Sequence, residues 1–196
     1  MPSKACGGGE GLQGLVDGAH QLGMHVIPMF GFIASNYKKT RDLGLQQATC
    51  RTAYDLEETC DWTEWDEDFS TEPIWHSLNI GEAKFCDYFF KKLCWVTDTF
   101  RTDGIMLDIS GWVPRGTWHN ILDGLRVVME SLQNRYKEFL VLGESGCELH
   151  MPLIPLFHSM ANLEMDHPFH RYCRPASPHV GLIINQQKQP GIPTYL

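Results

Sequence analysis

Asp103-Gly104-Ile105-Met106-Leu107-Asp108 is an apolar run with an acid at each end, and Leu140-Val141-Leu142-Gly143-Glu144 repeats the form one unit later. Between them Ile121, Leu122, Leu125, Val128, Met129 and Leu132 recur at helical spacing. The reading is a strand at Ile105 to Ile109, a helix, and a strand at Phe139 to Leu142 that ends at Gly143-Glu144. Runs without polar alternation are buried on both faces, as in a parallel sheet covered by helices. One unit takes about 35 residues, the period of a (β/α)8 barrel.

The same alternation extends outward. Asn79, three residues before Glu82, forms a capping-box pattern that opens a helix reaching about Phe100, with Phe85, Phe89, Leu93, Val96 and Phe100 on one face. Earlier, Leu12, Leu15, Val16, Ala19 and Leu22 mark a helix stopped by Gly23, and Met24 to Phe30 follows as a buried strand. From Gly31 to Leu78 the periodicity disappears, and Trp62, Trp65 and Trp75 stand among many acids. A connection this long is read as a functional βα loop or an insertion. Past Glu144 a Pro-interrupted segment, Leu149 to Phe157, precedes an expected strand near Met160 to Met165, and Gly191 to Leu196 reads as the opening of another strand.

The expected fold is therefore α/β, a partial (β/α)8 TIM barrel of parallel strands alternating with helices. Residues 1–196 would be the central portion of a catalytic barrel, with 31–78 the loop or insertion. The pattern opens on a helix and stops at a strand's beginning, so a fragment lacking both ends of the barrel is expected. A self-contained open α/β sheet is the alternative.

Composition narrows the partners. With 196 residues, 43% hydrophobic and a formal net charge of -8, the chain can bury a core but offers no basic patch for phosphates, which argues against nucleic acid and anionic membranes. No run approaches the roughly 18 apolar residues of a membrane span. The seven cysteines lack CxxC or zinc-ligand spacing, and reduced thiols are expected, with Cys50 and Cys60 the first pair to test for a bridge.

In a parallel barrel, catalytic groups sit where strands end and βα loops begin. Asp108 and Glu144 occupy that position on consecutive strands. Glycoside cleavage requires two carboxyl groups, one to attack or stabilise the anomeric carbon and a protonated one to serve the leaving oxygen. An Asp in this position also commonly caps the next helix, and a Glu after Gly can simply be solvated; the matched positions one repeat apart favour the catalytic reading. Asp103 precedes its strand and is read as ordering the turn at the opposite end. Trp112 and Trp118 follow Asp108 and offer rings for a pyranose face or for packing. Asp166 and His167, beside Glu164, are candidates for contacting sugar hydroxyls. The acidic run Glu64 to Asp68 lacks the spacing and glycine of a calcium loop, so no metal and no cofactor is expected. Two other functions stay open: a non-catalytic carbohydrate-binding barrel, and a metal-dependent barrel hydrolase using Asp108, Glu144 and Asp166 or His167.

These residues also carry a resemblance. Asp103 to Asp108 resembles the fourth-strand motif of the α-amylase clan of glycoside hydrolases, Gly143-Glu144 its fifth-strand general-acid motif, and Val16 to Phe30 its stretch from helix to third strand. The resemblance implies a retaining double-displacement mechanism on a carbohydrate substrate, with Asp108 as nucleophile and Glu144 as general acid/base. Met106 stands where the clan carries an arginine, and Pro28 to Phe32 replaces the third-strand polar motif.

Overall fold

The computed structural model describes residues 2–31, 34–61, 74–108, 118–144, 150, 152–154, 156–158, 173–175 and 182–185. Its strands are β1 (Met29–Gly31), β2 (Ala34–Asn36), β3 (Thr59–Asp61), β4 (Ile74–Ser77), β5 (Gly104–Asp108), β6 (Leu140–Glu144), β7 (Leu156–His158), β8 (Cys173–Pro175) and β9 (Leu182–Asn185). Its helices are α1 (Gly8–Gln21), α2 (Tyr37–Asp42), α3 (Ala83–Phe100) and α4 (Trp118–Arg135).

β1, β5, β6 and β7 lie side by side in chain order and pair in parallel. Alternation along each strand sorts the side chains onto two faces. Ile105, Leu107 and Val141 are buried, whereas Met106, Asp108, Leu142 and Glu144 are only partly so. The buried face receives Phe85, Phe89 and Leu93 of α3 and Ile121, Leu125, Met129 and Leu132 of α4 in one core. Val16 of α1 joins through Val96 and Phe100, with Phe30 packed against them. Phe30 pairs with Leu107, so all three helices cover the same face. A doubly wound sheet would carry helices on both faces and reverse its strand order at a switch point; sequential strands with helices on one face are the barrel pattern. The described strands form an open sheet edged by β1 and β8, and closure is not seen in them.

Local chemistry explains where the elements depart from expectation. α3 begins at Ala83 because Glu82 is its cap, accepting from the Phe85 N–H at 2.8 Å, while Asn79 accepts from the Gly81 N–H at 2.8 Å in the preceding turn. The strand expected over Met24 to Phe30 is regular only from Met29. Val26 and Pro28 already accept from Asp103 and Met106, but Pro28 has no N–H to continue the ladder. Gly104 is required where β5 meets β6, since a Cβ there would lie 2.2 Å from the Leu140 carbonyl oxygen.

The stretch from Gly31 to Leu78 is not without structure. β4 lies between β2 and β3 in a three-stranded antiparallel sheet, inserted between β1 and its crossover helix α3. Strands of three or four residues are too short to show a period. After β7 the sheet continues antiparallel through β9 and β8, where the sequence suggested further parallel units. The strands expected at 160–165 and 191–196 lie outside the described residues. No helix among the described residues is long and apolar enough to cross a membrane.

Candidate active site

Parallel registers carry across the sheet and assemble one row of residues at the carboxyl ends of the strands. Gly31 pairs with Asp108, Leu107 pairs with Gly143, and Glu144 pairs with His158. Asp108 and Glu144 are each the next residue after the Leu107–Gly143 pair, so they stand on the same rung of adjacent strands. Neighbouring strands are about 4.8 Å apart. Both carboxylates are partly exposed, and the glycine beside Asp108 leaves that side without a side chain.

Two residues back on the same face, Met29, Met106, Leu142 and Leu156 form the rung beneath. This layer is apolar throughout. The carboxylates thus rest on a hydrophobic floor at the position where the clan pattern would bring a guanidinium.

The site rests on a tightly fixed sheet. On the helix side, Gly124 lets α4 close onto the loop before α3, for a Cβ there would lie 2.2 Å from the Ile80 carbonyl oxygen. At the amino end, Asp103 ties three segments together. It accepts from the Val26 N–H at 2.8 Å, lies 2.9 Å from His20 Nε2 and 3.3 Å from His25 Nδ1, and its own N–H and carbonyl bond Val26 and Leu140. Burial alone would push its carboxyl up, but the Val26 N–H, His20 and His25 together outweigh that and hold it below the ordinary carboxylate range. The turn-ordering role expected of Asp103 is what its contacts describe, and they bring in His20 and His25.

No protein-family model and no curated protein matches this sequence. Among solved structures, a maltogenic alpha-amylase from Thermotoga neapolitana superposes with a TM-score of 0.56 at 13% identity, covering 76% of this chain and 31% of that one. An alpha-amylase from Lactobacillus plantarum gives 0.51 at 20% identity, covering 70% and 28%. One from Geobacillus thermoleovorans gives 0.51 at 20%, covering 71% and 29%. The fold is amylase-like. The chain spans less than a third of each of these structures, and at such identities the likeness is one of fold. The resemblance read from Asp103–Asp108 and Gly143–Glu144 is met by a matching architecture.

Trp112, Asp166 and His167 lie outside the described residues, as do Trp62 and Trp65. Trp118 is the first residue of α4. Trp75 belongs to β4, paired with Asn36 and Cys60 in the inserted sheet.

Sequence reasoning missed β7. Only eleven residues separate Glu144 from Leu156, whereas parallel strands usually need a crossover of a dozen or more with a helix in it. Ile154 belongs to the helix-side core, and buried His150 accepts from the Leu153 and Ile154 N–H groups through its carbonyl. The available signal was the apolar run from Leu153 to Phe157 ending in a polar residue, the same form as the two strands before it.

Proposed function

We propose that this chain carries the nucleophile and the acid/base of a retaining glycoside hydrolase acting on a carbohydrate substrate, within a partial (β/α)8 barrel. The observation that carries the reading is the register that sets Asp108 and Glu144 on one rung of adjacent strands. Retaining enzymes hold their two carboxyl groups about 5 to 5.5 Å apart, close to the strand spacing of about 4.8 Å, whereas inverting ones leave room for a water between them.

The Asp108 carboxylate attacks the anomeric carbon while protonated Glu144 delivers its proton to the departing glycosidic oxygen. A glycosyl ester on Asp108 results. Glu144, now a carboxylate, takes a proton from water, whose oxygen displaces Asp108 from the anomeric carbon and restores both groups. Each step needs one carboxyl ionised and its neighbour protonated. Two carboxyl groups on one rung favour that state, because close like charges resist double ionisation.

The test is hydrolysis of a panel of aryl glycosides by the unmodified chain, Asp108→Asn and Glu144→Gln. The reading expects loss in both variants with the thermal transition unchanged, and retained turnover in both would end it. A second reading, a carbohydrate-binding homologue that does not cleave, is favoured by the apolar rung at Met106. Oligosaccharide binding without turnover, equal in all three proteins, would identify it.

A further inference from the structure

A glycine weakens a strand, and where it persists it answers to a backbone conformation, a close neighbour or a ligand that must come near. Among the described residues the glycines with a left-handed φ are Gly7, Gly8, Gly23 and Gly44, so Gly31, the last residue of β1, is not held to glycine by its backbone. Gly104 and Gly124 are held by carbonyl oxygens that a Cβ would strike at 2.2 Å, whereas Gly31 is exposed. What adjoins it is the proposed nucleophile. Phe30 packs against the helix-side core, so its neighbours Met29 and Gly31 belong to the opposite face. The register sets Gly31 beside Asp108 there and Met29 beside Met106. Asp108 therefore has Glu144 on the β6 side and, about 4.8 Å away on the β1 side, a position without a side chain. Met29, one rung beneath that position, is 59% exposed and gives it an apolar floor.

We propose that Gly31 is a specificity-determining residue of this site: the side chain it lacks is the room that the sugar ring under attack occupies beside Asp108. The inference rests on the reading of Asp108 as nucleophile and adds a limit on the size of the sugar that reaches it. Two carboxyl groups flank the scissile bond, so the aglycone leaves on the Glu144 side. The ring carried by the anomeric carbon then needs space on the other side of Asp108, where β1 ends. A side chain at position 31 would stand on the same rung and the same face as the nucleophile, and would push the anomeric carbon out of bonding range. A displacement of about 1 Å is enough to cost a large factor in rate. The floor is apolar, so it fits the C–H face of a sugar ring and offers no charge to one.

The experiment compares the full chain with Gly31→Ala and Gly31→Val on aryl glucosides and galactosides, each set against the aryl pentoside that lacks only its hydroxymethyl group. Neither variant strains an extended strand, and valine favours one, so the thermal transition should hold or rise. On the hexoside, kcat/KM should fall about tenfold in Gly31→Ala and about a hundredfold in Gly31→Val, chiefly through KM. The smaller pentoside should lose less, a size dependence that a merely structural role would not produce. Calorimetric titration of the same glycosides into Glu144→Gln, with and without Gly31→Val, reads the lost affinity without turnover. Gly31→Val with unchanged KM and affinity, or with equal losses on hexoside and pentoside, overturns the inference. The catalytic reading fails separately: full turnover in Asp108→Asn and Glu144→Gln removes it, while size-dependent loss of affinity in Gly31→Val keeps the room beside Asp108 as part of a binding surface. Turnover lost in both amide variants with Gly31→Val indifferent does the reverse, and no glycoside bound or cleaved by the unmodified chain overturns both.

Discussion

The two ends of the parallel sheet set carboxylates in different surroundings. At the amino end a carboxylate, Asp103, meets His20 and His25; at the carboxyl end Asp108 and Glu144 share a rung with His158. Asp103 lies just before its strand, and its donors come from the very segments it joins, the end of α1 and the approach to β1. Asp108 and Glu144 close their strands, and the rung beneath them, Met29, Met106, Leu142 and Leu156, is apolar. The contrast between Asp103 and Asp108, five residues apart, is open to direct test.

The largest effect expected is a double dissociation. Asp108→Asn and Glu144→Gln should each lower kcat/KM on an aryl glycoside by about a hundredfold or more, the range for a lost acid/base, while leaving the urea midpoint where it was. Asp103→Asn should move the urea midpoint down and leave kcat/KM per folded molecule unchanged. If Asp103→Asn also abolished turnover in folded protein, the division between the two ends would not hold. A comparable loss of stability is expected from Gly104→Ala. The added methyl meets the Leu140 carbonyl at 2.2 Å, a backbone atom that cannot rotate away. Overpacking of a fixed site costs about 1 to 3 kcal/mol, and a clash this deep belongs at the top of that range. Denaturant unfolding measures it, and a neutral Gly104→Ala would mean that β5 and β6 can separate without consequence.

A smaller effect sharpens the carboxyl end alone. Met106→Arg puts a guanidinium on the partly exposed rung beneath Asp108, where the clan pattern has one. An adjacent cation favours the carboxylate needed for attack, and one pKa unit of such help corresponds to about tenfold. We expect kcat/KM to rise by about that factor. An unchanged or lower value, in a variant that remains folded, would favour the binding homologue over the hydrolase.

What the sequence reveals follows from how much of each element is local. Ile105, Leu107, Leu125, Met129 and Val141 announce two strands and a helix because burial imposes their spacing, and the paired acids Asp108 and Glu144 fall at the ends of those strands by simple counting. The inserted sheet stayed hidden since strands as short as Ala34–Asn36 hold one side chain or two per face. Cap residues misled because Asn79 and Glu82 are both good acceptors, and only the turn between them decides which one meets the first free N–H of α3. β7 was missed through its link's brevity, and the partner of His20 and His25 because it lies 83 and 78 residues away in sequence, a contact that no local pattern encodes.

The smallest expected effect isolates the amino end by pH. Asp103 has a folded pKa below its ordinary value, so at acidic pH the unfolded chain binds the proton that the folded one refuses. Its contribution is thus complete above the ordinary carboxylate pKa of about 3.9 and is lost as pH falls through the lower folded value. Asp98 acts in the same sense, its carboxyl held low by the Tyr136 hydroxyl and, against some burial, by Arg135; that group is nearly half exposed, so solvent screens it and its share is minor. Urea unfolding from pH 6 to pH 3 should therefore show a declining acid limb that Asp103→Asn flattens, with its stability loss, about 1.5 to 3 kcal/mol for hydrogen bonds to a charged group, full at pH 6 and shrinking as pH falls below the ordinary carboxylate value. Asp98→Asn should change the limb only slightly. Equal flattening by both variants would mean that the Asp103 knot is no stronger than a surface pair, and the amino end would then owe its order to Gly104 and the β5–β6 ladder instead.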